Sequence, residues 1–298
     1  MTLILGAVQL GLLYAMMAMG VYISFRILNI PDLTVDGSFT LGMAVCVMVT
    51  AAGHPVLAIF ASLFAGAMAG LCTGLLQTKL RIHPILSGIL TMTALYSVNL
   101  FIMGGKSNVS LAGAPTLFSM FREASGLPAD IAKLIMLALF TLVLTALLAV
   151  LFKTRAGLEI RATGDNEEMV RSSSINASRT KCIGLMAANA CVALSGAMLC
   201  QYQSFSDVGF GSGMVVVGLA SVIIGEAAFG RRGVTAGLLS ALFGAAAYQF
   251  MIALALKIEL LPAYGLKFLS AAIVAISLCV PVAQKVIKSA VKEKGAAR

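Results

Sequence analysis

The sequence predicts an all-α polytopic membrane protein of about nine spans (eight to ten), and three observations carry that prediction. Its 298 residues are 60% hydrophobic and only 11% charged, with a mean hydropathy of +0.99, whereas soluble domains carry about 25% charged residues. Apolar runs of about twenty residues, the length that crosses a bilayer, recur from end to end. Charges gather in short stretches between those runs, as they must when one charge at the bilayer centre costs about 2.5–3.5 kcal/mol. The net charge of +9 does not point to nucleic acid, because the basic residues are scattered at span ends with one cluster in the tail. No cofactor or metal is expected. His54 and His83 each precede a proline in a turn without ligand spacing, and the six cysteines lie mostly in apolar runs with no CxxC pair.

The first run, residues 3–25, has no Lys or Arg ahead of it and is closed by Arg26, so it reads as a retained span rather than a secretory leader. Residues 29–53 are interrupted by Pro31, Gly37 and Gly42, with Asp32 and Asp36 ahead of the apolar half. That pattern describes a broken helix, tolerated at membrane depth where it is buried in protein or lines a cavity. Spans follow at 56–78 and from Pro84, the latter dotted with Ser87, Thr91, Thr93, Ser97 and Asn99. Residues 104–129 read as a Gly/Pro/Ser-rich loop, and 131–152 span again. The polar loop 153–180 comes next, where Asp165 and Glu168 have capping-box spacing and predict a short helix over about 166–174. After a span at 182–201, a second interrupted segment, 209–230, carries Gly209, Gly211, Gly213, Gly218, Gly225 and a lone acid, Glu226. Spans at 234–256 and 265–284 and a basic tail, 285–298, complete a single transmembrane domain, 1–298.

Charge orients these crossings. With Arg26 inside, sixteen of the 21 basic residues fall on one side, so an outside N-terminus and an inside C-terminus are expected. The interrupted segments then run in opposite directions, each second in a group of four crossings, which is the pattern of an inverted repeat.

Catalysis finds little support. Asp32 and Asp36 lie one turn apart on one segment, whereas an aspartyl protease needs two acids converging from different elements; a capping role for the helix near Gly37 is expected instead. Glu226 invites a proton-coupling role, but it lies five residues from Arg231 and is expected to reach the interface there. GFGSG lacks the Lys-Ser/Thr of a phosphate loop and follows no strand.

Four stretches, DLTVDGSFTLG (32–42), HPILSGILTMTALYSVNLFIMGG (83–105), TRAGLEIRATGDNEEMVRSSSIN (154–176) and GMVVVGLASVIIGE (213–226), resemble ABC-type importer permeases. The wider family is that of branched-chain amino-acid and ribose permeases, and the nearer resemblance is to tryptophan/tyrosine-type permeases. The most specific part is T-R-x-G-x-x-x-R-A-x-G-x-N, matched by Thr154, Arg155, Gly157, Arg161, Ala162, Gly164 and Asn166. The resemblance implies a permease of the bacterial cytoplasmic membrane without catalytic residues, whose loop 153–180 couples to cytoplasmic ATP-binding subunits. Leu158, Asp165 and Glu168 belong to that expected contact. It also implies a second, identical permease subunit, an extracytoplasmic substrate-binding protein and a small amino-acid substrate, for which the nearer resemblance suggests an aromatic side chain. Expected pathway or packing positions are Asp32, Asp36, Gly37, Ser38, Ser87, Thr91, Asn99, Gly213, Gly218, Ser221 and Glu226. The residues alone leave open an ion-coupled secondary transporter working through Glu226 or Asp36.

Overall fold

The computed structural model describes residues 2–230 and 233–257, with five helical positions beyond them: Phe268, Ala271, Ala272, Val274 and Ala275. In chain order the elements are α1 (Thr2–Tyr22, continued by a π-helical turn, Ile23–Ile27), α2 (Thr34–Ala51), α3 (Pro55–Thr78) and α4 (Pro84–Ile102). Then come β1 (Asn108–Ser110), α5 (Leu117–Ser125), α6 (Ala129–Leu151), α7 (Arg155–Asp165), α8 (Glu167–Ser172) and α9 (Ala177–Gln203). The chain continues through β2 (Phe205–Asp207) and a 3-10 turn (Val208–Gly211) into α10 (Met214–Phe229) and α11 (Val234–Lys257). Eight helical stretches among the described residues are long and apolar enough to cross a membrane. The ninth crossing expected at 265–284 and the basic tail 285–298 lie outside the described residues, the five positions apart.

Local chemistry sets most boundaries. Pro55 and Pro84 open α3 and α4 directly after His54 and His83, where a missing N–H costs nothing and φ is already helical. The loop 104–129 is more ordered than its composition suggests. Thr116 and Ser119 form a reciprocal capping box that starts α5, and Gly126 ends it in the left-handed conformation. β1 pairs antiparallel with β2, joining that loop to the segment entering α10.

Helix α9 is the central post, largely buried, and neighbouring helices dock on it in a register read from their contacts. Along α1, the order Gln9, Leu13, Gly20, Leu28 meets Tyr202, Ser195, Ala188, Gly184 on α9, so the two run antiparallel. Along α2, the order Ser38, Gly42, Cys46 meets Asn189, Ala193, Ala197, so α2 runs parallel to α9. Gly66, Gly70 and Gly74 form a small-residue stripe on α3, and a Cβ at Gly70 would strike the Leu185 carbonyl of α9; such stripes let helix backbones approach where no hydrophobic force drives them together. Exchanging α1 with α9, α2 with α10 and α3 with α11 maps this packing onto itself. α11 lies on α1 and α10 as α3 lies on α9 and α2, and α10 lies parallel to α1, with Gly218 against Val21 and Glu226 against Arg26. That equivalence is the inverted repeat expected from charge and glycine patterning. α4 and α6 expose most of their apolar side chains, as lipid-facing helices do.

Candidate functional site

Both interrupted segments become helical only part-way along the helix bundle. α2 is preceded by the non-helical residues 28–33 and begins beside Asn189, which stands twelve residues into α9, roughly 18 Å along it. α10 is preceded by residues 204–213, and Gly213 takes a left-handed φ of 90° to turn the chain into the helix. The two helix N-termini meet there. Asp36 Oδ2 accepts from the Gly213 N–H at 2.9 Å and Oδ1 from the Val215 N–H at 2.8 Å. Asp36 therefore caps α10, not the helix near Gly37 on which it stands. α2 starts earlier, at Thr34, where Asp32 Oδ1 accepts the Thr34 N–H at 2.9 Å. The two acids thus do not share a face: Asp32 precedes the helix and turns to α9.

Asp32 is buried in a polar network. Asn189 Nδ2 donates to Asp32 Oδ2 at 2.7 Å, and Ser38 donates to Asn189 Oδ1 at 2.7 Å. The hydroxyls of Thr34 and Thr73 lie 2.8 Å apart and join α2 to α3. Asn99 donates to the Gly37 carbonyl at 3.3 Å. Ser87, Thr91 and Ser221 donate to carbonyls of their own helices, the usual use of hydroxyls in apolar helices. Ser87, Gly88, Thr91, Leu95 and Asn99 form the buried stripe of α4. Gly218 lies against Val21, so it serves close packing.

The second region is the end of the bundle that carries α7 and α8. Thr154 caps α7 by accepting from the Gly157 N–H, and Gly157 leaves no room for a Cβ against the Leu151 carbonyl. The expected cap at Asp165 is displaced by one residue. Asp165 ends α7, and Asn166 breaks the helix in extended conformation and caps α8 by accepting from the Met169 N–H at 3.0 Å. Asn takes this position because its side chain reaches back to the backbone as well as an Asp does and tolerates the break. The spacing also gave no hint of α7 itself, a full helix over Arg155–Asp165. Gly164 packs against the π-helical turn of α1, where a Cβ would fall on the Ile27 carbonyl oxygen. Ala162 is half-buried, whereas Arg155, Leu158, Arg161, Asp165 and Glu168 face outward. Glu167 accepts from Lys181 at 2.6 Å and from Arg171 at 2.8 Å, fastening α8 to α9. Those bonds, Lys181 first, hold its carboxyl below the usual range.

Comparison with known proteins decides the family. Over residues 3–278 the chain matches the family described as "Branched-chain amino acid transport system / permease component". The chain belongs to this permease family. It is 36% identical over 272 residues to the tyrosine transport system permease protein of Clostridioides difficile (strain R20291), covering 91% of this chain and 88% of that one. An uncharacterized protein of Rickettsia prowazekii (strain Madrid E) is 35% identical over 229 residues, 77% of this chain and 79% of its own. No solved structure matches the chain. The permease is thus a multi-pass membrane protein and a transport component.

Within the permease, Glu226 finds a partner that sequence reasoning missed. It pairs with Arg26, 200 positions away; Arg231, near which it was expected to reach the interface, lies outside the described residues. The pair joins the end of α10 to the π-helical turn of α1 and lines a cleft of about 430 Å³ with Arg161, Gly164 and Asp165. The signal was the symmetry itself, since α10 lies on α1 in register. Glu226→Ala is expected to lower the thermal midpoint of the detergent-solubilised permease by several degrees, because removing one partner of a half-buried pair strands the other; an unchanged midpoint would show that the pair adds no stability. Asn189 was also overlooked, although a single Asn inside the 182–201 run was legible as a buried polar anchor.

Proposed function

We propose that this permease is the membrane-spanning subunit of an ATP-driven importer, with α7 and α8 forming the surface on which a separate ATPase docks. The observation that supports this most is how α7 is built. Its inner side is tied to the π-helical turn of α1 through Gly164, next to the residues that lead into the broken helix α2. Its outer side presents Arg155, Arg161, Asp165 and the apolar Leu158 at 52% exposure, and the adjoining α8 adds Met169 at 55%. A push on that surface reaches the half-helix crossing at Asp36 through α1 and α2, without any chemistry in the permease. On this reading loop 153–180 and the tail face the cytoplasm and the N-terminus faces outward. A second identical permease subunit and an extracytoplasmic binding protein complete the assembly. The substrate is an amino acid, and the tyrosine permease relative favours an aromatic one.

The test is uptake together with capture. The tagged permease, solubilised from its native membrane, is expected to retain an ATPase, and Arg161→Glu to lose most of it. Because Arg161 is exposed on α7, the variant should still elute as a folded species while ATP-driven uptake falls at least tenfold. Uptake that follows an ion gradient and needs no ATPase would replace this reading with a secondary transporter.

A further inference from the structure

A cavity of about 410 Å³ opens between α2, α4 and the segment 204–213, beside the crossing of the two half-helices. Its volume lies in the range of small-ligand sites. Four of the side chains around it offer acceptors, beside the hydroxyls of Tyr96 and Ser212, which can also donate. Asp36 lines it, its carboxylate held by backbone N–H groups at the start of α10 with lone-pair capacity left over. Asn99 lines it too. One N–H of its amide goes to the Gly37 carbonyl, and its Oδ1 is buried without a hydrogen-bond partner among the described residues. A buried carbonyl without a donor costs about 1–3 kcal/mol unless something supplies one. Thr40 and Thr93 both line the cavity and both spend their hydroxyl protons on helix carbonyls, Asp36 O and Ile89 O, so what they turn outward is lone pairs.

Charge points the same way. No lysine, arginine or histidine lines the cavity among the described residues. The N-termini of α2 and α10 meet at Asp36 and together carry about one positive charge, which the Asp36 carboxylate offsets. An anion-binding helix end is therefore already occupied by the chain's own carboxylate. Tyr96, 57% exposed, and Met92 supply an aromatic and a thioether wall on which a ring or an ammonium group can rest.

We infer that this cavity is an ammonium-binding subsite on the route of a transported amino acid, with Asp36, Asn99 and Thr93 accepting from the three N–H groups of the ligand's α-ammonium and Tyr96 flanking its side chain. The inference rests on the amino-acid importer reading for its ligand class, but its test is separate. Purified full-length permease in nanodiscs is titrated with tyramine, which keeps the ammonium and lacks the carboxylate, and with 3-(4-hydroxyphenyl)propionate, which does the reverse. Tyramine is expected to bind at least tenfold more tightly. Asn99→Leu and Thr93→Val are each expected to weaken tyramine at least fivefold. Thr93 is exposed on α4, so its variant keeps the test alive if Asn99→Leu does not fold. Equal binding of the two probes, no binding of tyramine, or tyramine affinity unchanged in folded Thr93→Val and Asn99→Leu overturns the subsite. Loss of ATP dependence in the assembled system would instead overturn the importer reading, and leaves these binding results as they stand.

Discussion

Gly164→Leu is expected to abolish most ATP-driven uptake while the membrane helices remain folded. A Cβ at position 164 would coincide with the Ile27 carbonyl oxygen and come within 2.9 Å of the Leu28 Cα. Both are backbone atoms, and the π-helical turn they belong to is already committed to its own hydrogen bonds, such as Leu28 N–H to Ile23 O at 2.9 Å. Neither can retreat as a flexible side chain would, so α7 has to lift away. Overpacking of this kind costs about 1–3 kcal/mol, too little to unfold the bundle but enough to detach a short helix held by few contacts. Uptake should fall at least tenfold, with helical circular dichroism unchanged. Trypsin should also cut faster at Arg155 or Arg161 than in the wild type. Equal protection of α7 in both proteins would show that Gly164 does not carry this contact. Arg161→Glu is the companion variant: it changes the outward face alone, so it should impair uptake without increasing cleavage elsewhere in α7.

Asn189→Leu is expected to be among the most destabilising single substitutions in the bundle. Asn189 is fully buried and satisfies three groups at once: Asp32 Oδ2, the Ser38 hydroxyl and, through the same amide nitrogen, the Leu185 carbonyl. Leucine would leave the buried Asp32 oxygen facing an apolar wall. Breaking a buried charged contact by removing one partner costs about 3–5 kcal/mol, and losing a neutral bond with the orphan left in place about 1–3 kcal/mol. The fraction surviving a heat step in detergent, read by size-exclusion chromatography, should therefore drop sharply. Asp32→Leu in the same chain should recover part of the loss, since two apolar groups leave no orphan between them. If the double variant were no more stable than Asn189→Leu alone, the coupling between the two residues would be refuted, and the Thr34 N–H bond to Asp32 would be the larger part of what that acid does.

Much of the architecture was legible in the sequence because the physics that sets it is local. Eight of the expected spans appear among the described residues, since a run of about twenty apolar residues has one stable arrangement in a bilayer. The broken character of 29–53 and 209–230 followed from Pro31 and from glycines that weaken a helix within a few residues. Gly157, Gly164 and Thr154, singled out through the family motif, proved to shape α7. The failures are equally specific. Asp165 and Glu168 satisfied a spacing rule, yet Asn166 makes the cap by accepting from the Met169 N–H, because two adjacent capping residues compete and only the backbone break decides between them. α7 was missed because its apolar face is narrow, with Gly157, Ile160 and Thr163 alone buried.

By itself the sequence located the eight membrane-length apolar helices of the described residues, where the chain breaks, and which loop stands apart. Those are consequences of transfer free energy and backbone sterics acting over a few residues. The tertiary structure decided what each polar group is for. Asp36 caps α10 from 177 positions away, Glu226 pairs with Arg26 across 200, and Asn189 holds Asp32 across 157. A lone acid or amide in an apolar run announces that it needs a partner, because leaving it without one at membrane depth costs several kcal/mol. Which partner it finds depends on how the two inverted halves pack, and no local pattern carries that information.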